Sequence, residues 1–113
     1  MKVKAITGLL AVAGSLALSP VAHAVDADAA QALAKKEGCM KCHALDKKKE
    51  ASSFKDIAKK WAGKPDAEAK LLHHITSGEK VKMEDGTEED HKIIKTKDAG
   101  EQKNLIDWIL SLK

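Results

Sequence analysis

"GCMKCHAL", Gly38 to Leu45, holds both cysteines of a 113-residue chain. Cys39 and Cys42 stand three positions apart and His43 follows directly, a C-x-x-C-H pentad. Closely spaced cysteines serve several chemistries. A thioredoxin-like redox pair sits in a βαβ setting, which the chain does not offer. A structural zinc site needs four ligands, and outside the pentad the neighbouring His73 and His74 are the one pair available. Covalent attachment of a c-type haem uses every element of the pentad. The two thiols add across the haem vinyl groups as thioethers, the two-residue spacer matches the separation of those groups, and the histidine supplies the proximal nitrogen to iron. One covalent haem c on Cys39 and Cys42, with His43 as an iron ligand, is the expectation.

Upstream, Lys2 and Lys4 precede the apolar run "AITGLLAVAGSLAL", and "SPVAHA" closes on a small-x-small pattern. This is the layout of a secretory signal peptide, residues 1–24, cleaved after Ala24. The alternative, a retained membrane anchor, would want about 20 apolar residues. Cleavage would leave residues 25–113, 113 − 24 = 89 residues forming one domain with a small core, periplasmic and without stable membrane insertion. Export agrees with haem attachment, because bacterial c-type maturation takes place outside the cytoplasm. It also bears on the cysteines: two thiols this close together close too small a loop to staple a secreted fold.

Every basic residue is a lysine. Two of the 20 leave with the leader while all 17 acids stay, so the mature chain carries 18 − 17 = +1. A balance so near neutrality leaves no footprint for nucleic acid.

Downstream and upstream of the pentad, four segments read as helices. The first spans Ala27 to Glu37, with Asp26 or Asp28 at its start and Gly38 just past its end. In the second, Ser53 to Ala62, Phe54, Ile57, Ala58 and Trp61 recur at i, i+3, i+4 and i+7, and Gly63 and Pro65 end it. The third, "DAEAKLLHHITS", begins after Pro65 and runs to Gly78, with Leu71, Leu72 and Ile75. The fourth, "AGEQKNLIDWILSLK", carries Leu105, Trp108, Ile109 and Leu112 on one face. No segment alternates usefully with period two, so the chain reads as all-α, with "LDKKKEAS" and "GEKVKMEDGTEED" as polar connections. The apolar faces are thin, with one phenylalanine and no tyrosine. A flat apolar haem would supply what Phe54, Trp61, Leu71, Ile75 and Trp108 pack around, and the apoprotein is expected to be largely unfolded.

On "LAKKEGCMKCHALDKK", "SFKDIAKKWAGKPDAEAKL" and the closing "LIDWILSLK", the chain resembles the small bacterial class I cytochromes c, monohaem electron carriers of the periplasm. The resemblance runs over nearly all of residues 25–113. It implies a class I cytochrome c fold, four helices around one covalently attached haem c, with the first and last helices crossing. It also implies single-electron transfer between redox protein partners rather than enzymatic catalysis. Two positions depart from the family's pattern. The family carries a proline two residues before the aromatic that opens its second helix, and its carbonyl orients the proximal histidine. Here that position is Ser52. The family also carries a Pro-Met pair giving the sixth iron ligand, and that signature is missing.

Met1 leaves with the leader and Met40 lies inside the attachment loop, which leaves Met83 as the candidate methionine; His73, His74 and His91 are the remaining histidines. In the family the distal ligand precedes the chain end by about twenty residues and follows the third helix by about ten. His91 lies 113 − 91 = 22 residues from the end and 13 beyond Gly78, whereas Met83 lies 30 and 5. Five residues at about 3.5 Å each are a short climb to the far face of a haem. His91 is the favoured distal ligand and Met83 the alternative, with an open site as a third reading.

Imidazole in place of thioether removes the stabilisation of ferrous iron, so a bis-histidine carrier of lowish potential is expected. Glu88, Glu89 and Asp90 next to His91 are expected to favour its imidazolium form and to loosen it at low pH. Lys41, Lys47, Lys48 and Lys49 could border the haem edge and steer acidic partners, or be ordinary solubilising charge. An open or labile sixth site would instead make a small-ligand binder or sensor.

Overall fold

Four α-helices form where the apolar periodicity predicts them, and each begins or ends on the residue chemistry that its sequence supplies. The structure, a computed structural model, describes residues 24–113 together with Gly8, Ala11 and residues 13–15. The expected leader otherwise lies outside the described residues. Helix α1 spans Ala27–Lys36, and the Asp26 carboxylate accepts the Ala29 N–H at 3.0 Å. Helix α2 spans Phe54–Trp61 and is capped by the Ser53 hydroxyl, which accepts the Asp56 N–H at 3.1 Å. Helix α3 is Ala67–Thr76, and α4 is Ala99–Ser111, capped by the Asp98 side chain on the Glu101 N–H. Such caps satisfy backbone donors that the helix itself cannot reach.

Helix α4 is the centre of the packing, with α1, α2 and α3 laid against it. Ala30 and Ala34, one turn apart on α1, are fully buried. Their small side chains let the two helices approach closely, and Leu105, Ile106, Trp108 and Ile109 fill the space from the α4 side. The crossing is pinned at its rim by a reciprocal pair: the Asp26 N–H donates to Asn104 Oδ1, and Asn104 Nδ2 donates to the Asp26 carbonyl, both at 2.9 Å.

The acidic connection is not irregular. Strand β1, Lys80–Lys82, pairs antiparallel with β2, Glu88–Asp90, in the register Lys80 to Asp90, Val81 to Glu89 and Lys82 to Glu88. The expectation of helices and loops alone is corrected by this hairpin. Its turn contains Asp85-Gly86, with Gly86 at φ 86° in the left-handed region that glycine enters freely. The Met83 N–H donates to the Thr87 carbonyl at 2.7 Å, and the Gly86 N–H to the Met83 carbonyl at 3.1 Å. Apolar alternation was absent because almost nothing in the hairpin is buried. Register comes from opposite charges facing each other, Lys80 and Asp90 at 2.7 Å among them.

Candidate haem site

Leaving α1, the chain reverses at Gly38, whose φ of 78° is again left-handed, and enters a single 3-10 turn, Cys39–Lys41. Cys39 and Cys42 are free and half-buried. Burial, more than any other influence, pushes both thiols above their ordinary range, which is the reverse of the low-pKa thiolate that a redox pair uses. No group of three His, Cys, Asp or Glu side chains among the described residues is arranged to hold a metal ion, so the zinc alternative lacks its second ligand pair.

His43 is gripped from two sides. Its Nδ1–H donates to the Ser52 carbonyl at 2.7 Å, which leaves Nε2 as the nitrogen with a free lone pair. The ring stacks on Phe54, with centroids 5.1 Å apart and planes 19° from parallel, and Phe54 meets Trp108 edge-on at 5.6 Å. The backbone contact expected of a proline thus survives with Ser52. Its carbonyl is held by neighbouring bonds instead of a ring: Ala51 N–H to the Cys42 carbonyl at 3.0 Å, Phe54 N–H to the Ala44 carbonyl at 2.9 Å, and the buried Ser53 cap. Burial holds the His43 pKa below the usual imidazole range, with the Ser52 bond opposing it.

His91 follows β2 directly, and its N–H donates to the Glu79 carbonyl at 2.9 Å across the base of the hairpin. Its ring centroid lies 6.4 Å from that of His43 and 3.9 Å from that of His74. Its Nδ1 is buried with no hydrogen-bond partner, an unpaired polar atom of a kind that folded proteins rarely keep. The expectation that Glu88, Glu89 and Asp90 favour its imidazolium form is corrected. Burial first, then the neighbouring His74 and His43, lower the His91 pKa, and the acid opposing them is Glu79. The strand acids fail to act because Glu88 and Asp90 lie opposite lysines in the hairpin register. His74, half-buried, is the core-edge member of the histidine pair and shares Glu79 with the more exposed His73, at 2.6 and 3.4 Å.

A cleft of about 760 Å³ opens between these two sides, with Ile57, Trp61, Leu71 and Met83 among the apolar parts of its wall and charged residues such as Lys60 and Glu84 at others. A recess of about 150 Å³ shares His43, Met83 and His91 with it and reaches Cys39 and Cys42. Cofactor sites commonly measure about 300–1,000 Å³ and are mostly apolar. Two imidazoles bonded to one metal ion at about 2 Å each have centroids roughly 6 Å apart, close to the His43–His91 separation. Two thiols, a mainly apolar recess and two imidazoles 6.4 Å apart fit haem c. Met83 borders the same cleft from the turn of the hairpin, bonded through its backbone to Thr87 and Gly86.

The family model for cytochrome c matches residues 27–113. The chain belongs to the cytochrome c family. Within it the resemblance is to class I monohaem proteins. The chain is 40% identical over 78 residues to cytochrome c-551 of Pseudomonas aeruginosa, a match covering 69% of this chain and 70% of that protein. It is 36% identical over 100 residues to cytochrome c-552 of Nitrosomonas europaea, covering 88% and 94%. The crystal structure of the class 1 cytochrome MtoD from Sideroxydans lithotrophicus ES-1 is similar at 57% identity and a TM-score of 0.75, covering 78% of this chain and 97% of that one. Cytochromes of this family are electron carriers and not enzymes, and the Cys39/Cys42 pair carries covalent haem c.

The cytochrome also contains a buried acid that its sequence concealed. Glu37 is 2% exposed, and its carboxylate accepts the N–H groups of Lys95 at 2.7 Å and Thr96 at 3.3 Å. The Lys95 bond draws its pKa down, against the opposing effect of burial; the Thr96 bond and the charges of Lys92 and Lys36 add to the lowering. A signal existed: an acid at the C-terminal end of a helix opposes the macrodipole and needs a reason to be there. Among the lysines expected to border the haem edge, Lys48 pairs with Glu84 at 2.7 Å and Lys49 donates to the Met40 carbonyl at 2.8 Å, while Lys41 and Lys47 stay exposed.

Proposed function

We propose that this cytochrome is a periplasmic monohaem carrier whose iron is held between His43 and His91, exported behind a leader cleaved after Ala24. The observation that carries the reading is the 6.4 Å separation of the two imidazole rings, which line both the cleft and the recess that reaches the two cysteines. When bound, the haem supplies a one-electron iron couple. The protein's own contribution is positional and electrostatic. Ser52 and Phe54 hold His43 in one tautomer and one plane, and burial favours the neutral form of both imidazoles, which can donate a lone pair. With imidazole in place of thioether, the preference for ferrous iron is lost, and the Glu79 carboxylate beside His74 adds negative charge on the His91 side, so the potential is lowish. Exposed Lys41 and Lys47 beside the attachment loop suit an acidic redox partner.

Visible spectra of both oxidation states in the wild type, His91→Ala and Met83→Ala test the ligation. The wild type and Met83→Ala should share a low-spin spectrum without a methionine-to-iron charge-transfer band. His91→Ala should turn high-spin and, when reduced, take up carbon monoxide quickly. A charge-transfer band in the oxidised wild type that disappears in Met83→Ala would overturn the reading. Rapid, complete carbon monoxide uptake by the reduced wild type would favour a small-ligand binder.

A further inference from the structure

A buried carboxylate is costly unless it is well bonded, and Glu37 has its charge at the helix end that repels it. Its compensation comes from one place. Lys95 and Thr96, 58 and 59 residues further along the chain, both belong to the segment that runs from His91 to α4. The Thr96 carbonyl of that arm accepts from Gln102 Nε2 on α4 at 2.9 Å, and two backbone bonds run to α3 and the residues that follow it: His91 N–H to the Glu79 carbonyl at 2.9 Å, and Ile94 N–H to the Ile75 carbonyl at 3.0 Å. Those two bonds restrain the arm from one side. Glu37 restrains it from the other, and Glu37 stands two residues before Cys39. On the same side, Lys92 Nζ lies 3.0 Å from the point that a Cβ on Gly38 would occupy. Glu37 therefore bonds the start of the attachment loop that carries His43 to the arm that carries His91.

We propose that Glu37 is a positioning residue that latches the His91 arm to the attachment loop and so keeps the distal imidazole at its station opposite His43. The inference rests on the reading of His91 as the distal ligand. Glu37 does not touch the iron ligands. It acts by limiting how far the arm can swing away while the rest of the fold stays intact, so its loss should show in ligand exchange before it shows in global unfolding.

The test uses the haem-loaded protein and cyanide as the displacing ligand of the oxidised form, followed by absorbance, with guanidinium unfolding measured in parallel. Glu37→Ala should accelerate displacement by about tenfold or more, the scale that a hydrogen bond to a charged group carries. Glu37→Gln keeps one acceptor oxygen and should fall between Glu37→Ala and the wild type; it carries the test by itself if Glu37→Ala does not fold. Asn104→Ala, which cuts the Asp26–Asn104 pair at the other end of α1, should lower stability and leave displacement at the wild-type rate. Wild-type rates in the Glu37 variants, or equal acceleration in Asn104→Ala at matched stability, would overturn the latch. If His91→Ala keeps the wild-type low-spin spectrum, the reading of His91 falls and the latch falls with it. If His91→Ala loses that spectrum while the Glu37 variants exchange like the wild type, the latch alone falls.

Discussion

The two sides of the haem cleft are built by opposite means. On the His43 side the imidazole lies nine residues from the carbonyl that orients it, and its ring continues into the core through Phe54 and Trp108. On the other side His91, the proposed distal ligand, follows a charged hairpin, and its segment is held by bonds reaching back to Glu79, Ile75 and Glu37. One side is a motif embedded in apolar packing. The other is an exposed ribbon fastened at a few points. The difference teaches where each kind of damage will register: loss on the first side costs folding, and loss on the second costs little stability and touches ligation only at the points that fasten the His91 segment.

Removal of the tether is the severest way to test this contrast. Cys39→Ala/Cys42→Ala, made without haem, should lose its cooperative unfolding transition by circular dichroism; a haem-free variant that still folds cooperatively would show that the helices need no apolar ring. Next, Phe54→Ala opens the stack between His43 and Trp108 and should cost about 3–5 kcal/mol in guanidinium unfolding. A smaller effect concerns acid. The Lys95 bond holds the folded Glu37 carboxyl below the ordinary carboxylate range, so its bonds add stability that is present above the unfolded carboxylate value of about 4.3 and lost as pH falls through the folded value. The stability of Glu37→Gln should therefore fall less steeply than that of the wild type below about pH 4.3, and parallel acid limbs would remove Glu37 from the account. Smallest of all, Gly86→Ala, which forces a side chain into the left-handed turn, should cost about 1–2 kcal/mol and leave the spectrum unchanged. Should Gly86→Ala prove as damaging as Phe54→Ala, the two sides would not differ as described.

The legible parts share one property: their residues are neighbours in sequence or recur with helical period. The pentad, the Gly38 stop, the Ser53 start of α2 and the Leu105, Trp108 and Ile109 face of α4 are all local patterns, and the helices lie where those patterns place them to within about two residues. The hairpin escaped because a strand pair exposed on both faces has no apolar alternation to display. Its one local signal, Asp85-Gly86, is a hairpin signature that needs apolar flanks to be persuasive. The His91 pKa runs against its local sequence for a related reason. Nearness in sequence to Glu88, Glu89 and Asp90 suggested raised basicity, whereas the environment is set by burial and by His74 and His43, which arrive from other elements.

By itself the sequence determined the covalent haem c, the four helices and the family, because thioether attachment needs two thiols at fixed spacing and a helix needs only its own periodicity. Counting along the chain also singled out His91 before Met83. The tertiary structure decided what lies 6.4 Å from His43, that Ser52 can orient a histidine without a proline ring, and that Glu37 reaches Lys95 and Thr96 from the far end of the chain. These depend on distances between residues that no local pattern relates, and such distances exist only once α1 and α4 have packed.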